Sequence, residues 1–160
     1  MSRKHNEIVL VLDNIRSVHN VGAIFRTADA AGVSKIILAG YTPGPIDRFG
    51  RSRADFKKAA LGAEESVKWE SAPTALAAIS KLKTKNFYIL ALEQGTGAFD
   101  YKKIKPKGKT ALVVGNEIDG ISKEVIKYCD KVAQIPMRGK KESLNVSVAL
   151  GIALFRIFNL

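Results

Sequence analysis

Short apolar runs alternate with amphipathic stretches along this 160-residue chain. Residues 7–12 (Glu-Ile-Val-Leu-Val-Leu) are rich in branched side chains, the pattern of a strand buried on both faces. Val21, Ile24, Phe25 and Ala28 then recur at i, i+3, i+4 and i+7, which is one face of a helix. Asn20 can cap that helix and Gly32 can end it, so the spacing predicts a helix over about residues 20–31. Residues 35–39 read as a second strand. Residues 40–52 read as a long loop, because Pro43, Gly44, Pro45 and Gly50 interrupt any periodicity. A short helix over 53–61 is expected to stop at Gly62, and residues 66–70 read as a third strand. Pro73 suits a first helical turn, so a helix is predicted from there to about Leu82. Further strands are expected at 87–92, 110–114 and 131–135. Ser122 opens a short helix to Tyr128, and residues 145–158 read as a long, mostly apolar closing helix. Strands alternating with helices predict an α/β fold with a mainly parallel sheet. No repeat, low-complexity tract or linker divides the chain, so a single domain is expected.

In such sheets ligands sit beyond the C-terminal ends of the strands. The segments falling there are residues 13–20, 40–52, 93–98, 115–120 and 136–145. They are also the most polar and glycine-rich parts of the chain.

Composition narrows the chemistry. A single cysteine, Cys129, excludes an internal disulfide, and the two histidines, His5 and His19, cannot build a metal site alone. No metal is expected. The apolar runs are far shorter than the roughly 20 residues of a membrane span. The basic start, Met1-Ser-Arg-Lys-His, lacks a long enough apolar stretch behind it for a signal peptide, so a cytoplasmic protein is expected. The formal charge is +11, from 26 Lys+Arg against 15 Asp+Glu. That excess suggests a polyanionic partner. Arg48, Arg51, Arg53, Lys57 and Lys58 form one cluster, Lys102, Lys103, Lys105, Lys107 and Lys109 a second, and Arg138, Lys140 and Lys141 a third. The first and third follow expected strand ends and so fall on the ligand rim. Ordinary solvated charge is the alternative reading for each.

Three segments carry candidate chemistry. In Asn14–Ala28, Asn20 and Gly22 open a helix, and helix N-termini attract anions. Arg26 lies two turns in, where its planar fork suits a phosphate or carboxylate; cap and exposed helix residue are the plainer readings. In Gly115-Asn-Glu-Ile-Asp-Gly120, Gly115 lets a ligand approach the backbone and Glu117 puts a carboxylate past a strand tip. The spacing is neither a Walker loop nor a dinucleotide fingerprint, and a polar turn before the Ser122 helix remains open. In residues 135–149, a strand end and a basic loop lead to Ser143 and Asn145 at the mouth of the last helix, where at least one of them should cap.

Together these segments resemble motifs 1, 2 and 3 of the TrmH-type RNA 2′-O-ribose methyltransferases of the SPOUT superfamily. The matching pieces are Asn-Val-Gly-Ala-Ile-x-Arg-Thr-Ala at 20–28, Gly-Asn-Glu-x-x-Gly at 115–120, and Ile-Pro-Met…Ser-Leu-Asn-Val-Ser-Val-Ala at 135–149. Ala60-Leu-Gly-Ala-Glu64 is also similar to a family segment. The likeness runs from about Ile8 to Phe158. It implies a single-domain α/β knot, with the C-terminal segment threaded into a trefoil, and S-adenosylmethionine held bent by three loops. Cofactor contacts implied are Leu92, Gly95, Gly115, Ile135, Met137 and Leu144. The family's catalytic arginine falls on Arg26. Acting as a base conflicts with an arginine pKa above about 12, so a clamp on the phosphate beside the reacting ribose is the reading preferred. Glu117 would orient Arg26 or accept a proton through water. Asn20, Ser143 and Asn145 match the residues that position Arg26 and the nucleotide.

The resemblance thus implies methyl transfer to a ribose 2′-hydroxyl of tRNA or rRNA. A knotted base methyltransferase and a catalytically silent RNA-binding or assembly factor are the alternatives. With no extra RNA-binding domain expected, RNA affinity is assigned to Arg48, Arg51, Arg53, Arg138, Lys140 and Lys141. The surplus of apolar residues on the closing helix implies a homodimer.

Overall fold

The computed structural model describes residues 6–160, so His5 and the basic start of the chain lie outside the described residues. β1 (Glu7–Asp13), β2 (Lys35–Ala39), β3 (Trp69–Ala72), β4 (Tyr88–Leu92), β5 (Phe99–Asp100), β6 (Lys109–Val114) and β7 (Lys131–Gln134) form one sheet. Their order across it is β3-β2-β1-β6-β4-β7-β5. Every pairing is parallel.

The helices cover both faces. α1 (Val18–Ala31), α2 (Ala54–Ala60) and α6 (Val146–Phe158) bury one side, with Leu10, Leu12, Phe25, Phe56, Leu150 and Leu154 in a common core. α4 (Ala75–Thr84) and α5 (Lys123–Tyr128) cover the other, Ile79 of α4 packing in one cluster with Val9, Val11, Ile89 and Val113. A covered face on each side explains why the central strands read as unbroken apolar runs. Each such side chain contributes about 1.5–3 kcal/mol by leaving water. α1 and α2 approach closely because Gly22 has no side chain: a Cβ there would stand 2.5 Å from the Cβ of Ala59. Phe25 and Phe56 fill the space beside that contact, edge to face at 5.1 Å.

Several expected boundaries move. Ser17, not Asn20, caps α1, its hydroxyl accepting from the Asn20 N–H at 3.2 Å. Residues 63–66 turn as the short helix α3 (Ala63–Ser66), which shifts the third strand to Trp69–Ala72. Thr74 rather than Pro73 sets the start of α4, its hydroxyl accepting from Ala77 N–H. The two-residue strand β5 and the 3-10 turn Tyr101–Lys103 have no counterpart in the expected elements. Gly32, in the left-handed region at φ 68°, does end α1, and Ser122 does cap α5.

Strands β1 to β3 run outward to one edge, and β4, β6 and β7 lie on the other side of β1. The C-terminal ends of β6, β4 and β7 are therefore neighbours beside the point where strand order reverses, the usual ligand position in such sheets.

Candidate functional site

A cavity of about 320 Å³ opens at those three strand ends. Leu92, Val114, Ile135 and Leu144 give it apolar walls, and the acidic residues Glu93, Glu117, Asp119 and Glu142 also line it. Among the described residues no lysine or arginine lines it.

Local chemistry ties the loops together. Gly115 follows the buried β6, and a Cβ there would stand 2.5 Å from the carbonyl carbon of Gly120. Gly120 is at φ +67°, and its N–H donates to the Asn116 carbonyl at 2.9 Å. Asn116 closes the turn, its Oδ1 accepting from the N–H groups of Ile118 and Asp119 at 2.8 and 2.9 Å. Its Nδ2 donates to the carbonyl of Asn14 and to the Tyr41 hydroxyl, each at 2.9 Å. Glu93, at the end of β4, accepts from the N–H groups of Gln94 and Ile121. Gln94 Nε2 reaches across to the Ile135 carbonyl at 2.7 Å. Each of the three loops is thus fixed to another by side-chain hydrogen bonds.

A polar ladder stands at the cavity mouth. Glu117 accepts from the N–H of Arg16 at 3.1 Å, the N–H of Ser17 at 3.0 Å and Asn20 Nδ2 at 3.2 Å. Burial works to raise its pKa, but these donors together outweigh it and hold the carboxyl below its ordinary range. Asn20 Oδ1 in turn accepts from Asn145 Nδ2 at 3.1 Å. Asn145 caps α6, its Oδ1 accepting from the N–H of Ser147 at 2.9 Å and of Val148 at 3.3 Å. An acceptor-only carboxylate at one end and a cap at the other leave each amide one orientation. The N-termini of α1 and α6 are thereby brought side by side.

The structure thus gathers Asn20, Glu117 and Asn145, and it places Ser143 on the cavity wall. Arg26 is exposed on α1, does not line the cavity, and holds no ion pair among the described residues. No hydrogen bond joins Glu117 to Arg26 among them, so the expected orienting contact is replaced by the one to Asn20. Of the residues implied to touch the cofactor, Leu92, Gly115, Ile135 and Leu144 line the cavity, whereas Gly95 and Met137 do not. Gly95 is turned to solvent, its N–H 3.5 Å from Gln134 Oε1. Glu93, Gln94, Asn116 and Tyr41 lie in segments expected at the strand ends, but the sequence assigned none of them an individual role. Glu93 had a usable signal, being the first polar residue after a buried strand; Tyr41 had none.

A second, more open groove of about 890 Å³ lies under residues 40–53. Arg48, Arg51 and Arg53 line it with Tyr41, Phe49 and Trp69. Asp47 bonds Arg51 Nε at 2.9 Å, and Arg53 bonds Asp55 at 3.0 Å. Hydrogen bonding from the Arg51 N–H and side chain pulls the Asp47 carboxyl down despite partial desolvation. Arg138, Lys140 and Lys141 are exposed in the loop whose next residues wall the cavity. Lys107 and Lys109 lie at the other end of the sheet, over Tyr88 and Phe87 at 4.8 and 5.5 Å. Among the described residues no group of three or more His, Cys, Asp or Glu side chains is placed to hold a metal, and no helix is long and apolar enough to cross a membrane.

Comparison with known proteins fits this geometry. The chain is 38% identical over 147 residues to the 23S rRNA (guanosine-2′-O-)-methyltransferase RlmB of Escherichia coli K12, covering 92% of this chain and 58% of that protein. The Haemophilus ducreyi protein of the same name is 35% identical over 98% of this chain and 61% of its own length. The chain thus spans about three fifths of the curated relatives it matches. An AdoMet-bound rRNA methyltransferase structure from Sinorhizobium meliloti superposes with a TM-score of 0.87 at 31% identity, over 97% of this chain and 57% of that one. The TrmH/SpoU tRNA modifying enzyme of A. aeolicus gives 0.83 at 29% identity, over 96% and 75%. The sequence model of the SpoU rRNA Methylase family matches residues 7–155, and the chain belongs to that family.

Proposed function

We infer that this chain is an RNA 2′-O-ribose methyltransferase using S-adenosylmethionine, acting on tRNA or rRNA. The observation that carries this reading is the ladder from Glu117 through Asn20 to Asn145, set at the mouth of an acid-lined cavity.

The cavity suits the cofactor chemically. S-adenosylmethionine bears a sulfonium and an ammonium beside one carboxylate, a net cation, and a cavity lined by four acidic residues and, among the described residues, no lysine or arginine suits that charge. When bound, it supplies an electrophilic methyl group. Leu92, Gly115, Ile135 and Leu144 on the cavity wall would hold its adenine and ribose, with Gly95 and Met137 on the adjoining loops. Asn20, Ser143 and Asn145 position the target nucleotide. Arg26, with its guanidinium unpaired among the described residues, clamps the phosphate beside the reacting ribose. Glu117 is a positioning residue: three donors occupy it and depress its pKa, which makes it a poor base. Arg48, Arg51, Arg53, Arg138, Lys140 and Lys141 hold the RNA backbone.

The chain after β7 supports threading like the family's trefoil knot. β7 lies between β4 and β5, and α6 beyond it packs on both α1 and the turn Tyr101–Lys103. Val148, Ile152 and Phe155 form one exposed stripe on α6, a surface for a second copy of the chain. Sedimentation should give twice the 17.4 kDa chain mass, and Phe155→Lys should give the single mass.

The deciding experiment supplies labelled cofactor with total tRNA and with rRNA transcripts, then maps the methyl group by nuclease digestion and mass spectrometry. A 2′-O-methyl nucleotide is expected. A methyl on a base ring moves the protein to the base methyltransferases. Absence of cofactor binding by calorimetry makes it a silent RNA-binding factor.

A further inference from the structure

We propose that the groove under residues 40–53 is a stacking site for the bases of an unpaired RNA segment flanking the methylated nucleotide, with Phe49 and Tyr41 as its platforms. The proposal rests on the reading of the chain as an RNA-modifying enzyme and adds the form of RNA it takes.

Residues 46–52 make a small closed turn. Ile46 and Ser52 pair as an antiparallel bridge, and Asp47 N–H donates to the Arg51 carbonyl at 2.8 Å. Asp47 Oδ1 accepts from the N–H groups of Phe49 and Arg51 at 2.8 and 2.9 Å. Gly50 takes the left-handed conformation at φ +77° that closes it. This turn holds Phe49 at its tip, 66% exposed, and Tyr41 across the groove is 58% exposed. Neither ring belongs to a core cluster. The guanidinium groups of Arg48 and Arg51 lie over the Phe49 ring, 4.8 and 5.0 Å from its centre, so a base stacks there by taking the place of one of them while the arginine turns to its phosphate.

Two exposed aromatic rings among three arginines fit one class of polyanion better than another. A duplex offers phosphates to the arginines but keeps its base faces stacked inside. A single strand offers both. The place is also right. The Tyr41 hydroxyl accepts from Asn116 Nδ2, so a single hydrogen bond separates this groove from the cavity assigned to the cofactor.

Trp69 lines the groove and is the only tryptophan, so its fluorescence reports occupancy. The probes are a short unstructured RNA oligonucleotide and the same strand annealed to its complement. The single strand should change Trp69 emission saturably and bind at least about tenfold tighter than the duplex. Phe49→Leu should weaken single-strand binding by roughly tenfold while leaving duplex affinity and the salt slope unchanged. Phe49→Tyr should bind as the parent does. The proposal is overturned by equal affinity for the two RNA forms, by parental affinity in Phe49→Leu, or by RNA binding that leaves Trp69 unchanged. Methyl transfer to RNA together with parental affinity in Phe49→Leu sinks the stacking site alone. Single-strand selectivity without any methyl transfer sinks the enzymatic reading alone. Absence of RNA binding in either form sinks both.

Discussion

Two neighbouring cavities of this protein have opposite electrical characters. The one at the ends of β6, β4 and β7 is lined by four acidic residues and, among the described residues, no lysine or arginine; the one under residues 40–53 carries three arginines against Asp47. A chain of net charge +11 is thus acidic where its proposed cationic cofactor binds and basic where its proposed polyanion binds. Net charge speaks for surface that meets the large partner and says nothing of a cavity of about 320 Å³ beside it. The groups that separate the two are uncharged: the amide of Asn116 and the phenol of Tyr41.

Substitutions on each side should therefore separate cofactor from RNA. The largest effect is expected for Arg26→Ala. Methyl transfer should fall roughly 10³-fold, with cofactor affinity by calorimetry nearly unchanged, since Arg26 lies outside the cavity lining. Arg26→Lys should recover only part of the loss, because an ammonium cannot replace the planar fork. Next comes Gly115→Ala, whose Cβ would collide with the Gly120 backbone. Calorimetry should show cofactor affinity falling by about two orders of magnitude, while RNA affinity holds. Neutralising Arg48, Arg51 and Arg53 together should do the reverse. Filter binding should show weaker RNA affinity at constant cofactor affinity, and a salt slope flatter by about one unit for each phosphate that is no longer neutralised. The smallest effect concerns Glu117. Its carboxyl is held low in the folded chain, so its stabilising contribution is complete above the ordinary carboxylate range and lost as pH falls through the lowered value. Melting temperature measured from about pH 6 down to 3 should fall less steeply in Glu117→Gln than in the parent.

Legibility in the sequence followed burial. β1, β2 and β6 are covered on both faces, so their apolar runs mark them directly. β3 lies at the sheet edge with no fully buried residue, and nothing in its alternation fixes its start. The residues before it turn as a helix, with Ser66 bonded to Asp29 at 2.7 Å, a contact across 37 positions that no local rule contains. Asn20 failed as a cap for a related reason. Ser17 serves α1 through a local bond, which frees the Asn20 amide for Glu117 and Asn145. The site residues were visible as motif letters, but their mutual contacts were not. Glu93 and Asn116 act only through partners on other loops.

The ladder at the cavity mouth joins residues 97 and 125 positions apart. Loop closure over such distances is slow, and contacts of this kind form late. Translation adds a second delay, because Asn145 is made long after Glu7–Asp13 has begun to seek β2. A growing chain can therefore assemble the outer half of its sheet before the ladder of the candidate site is complete.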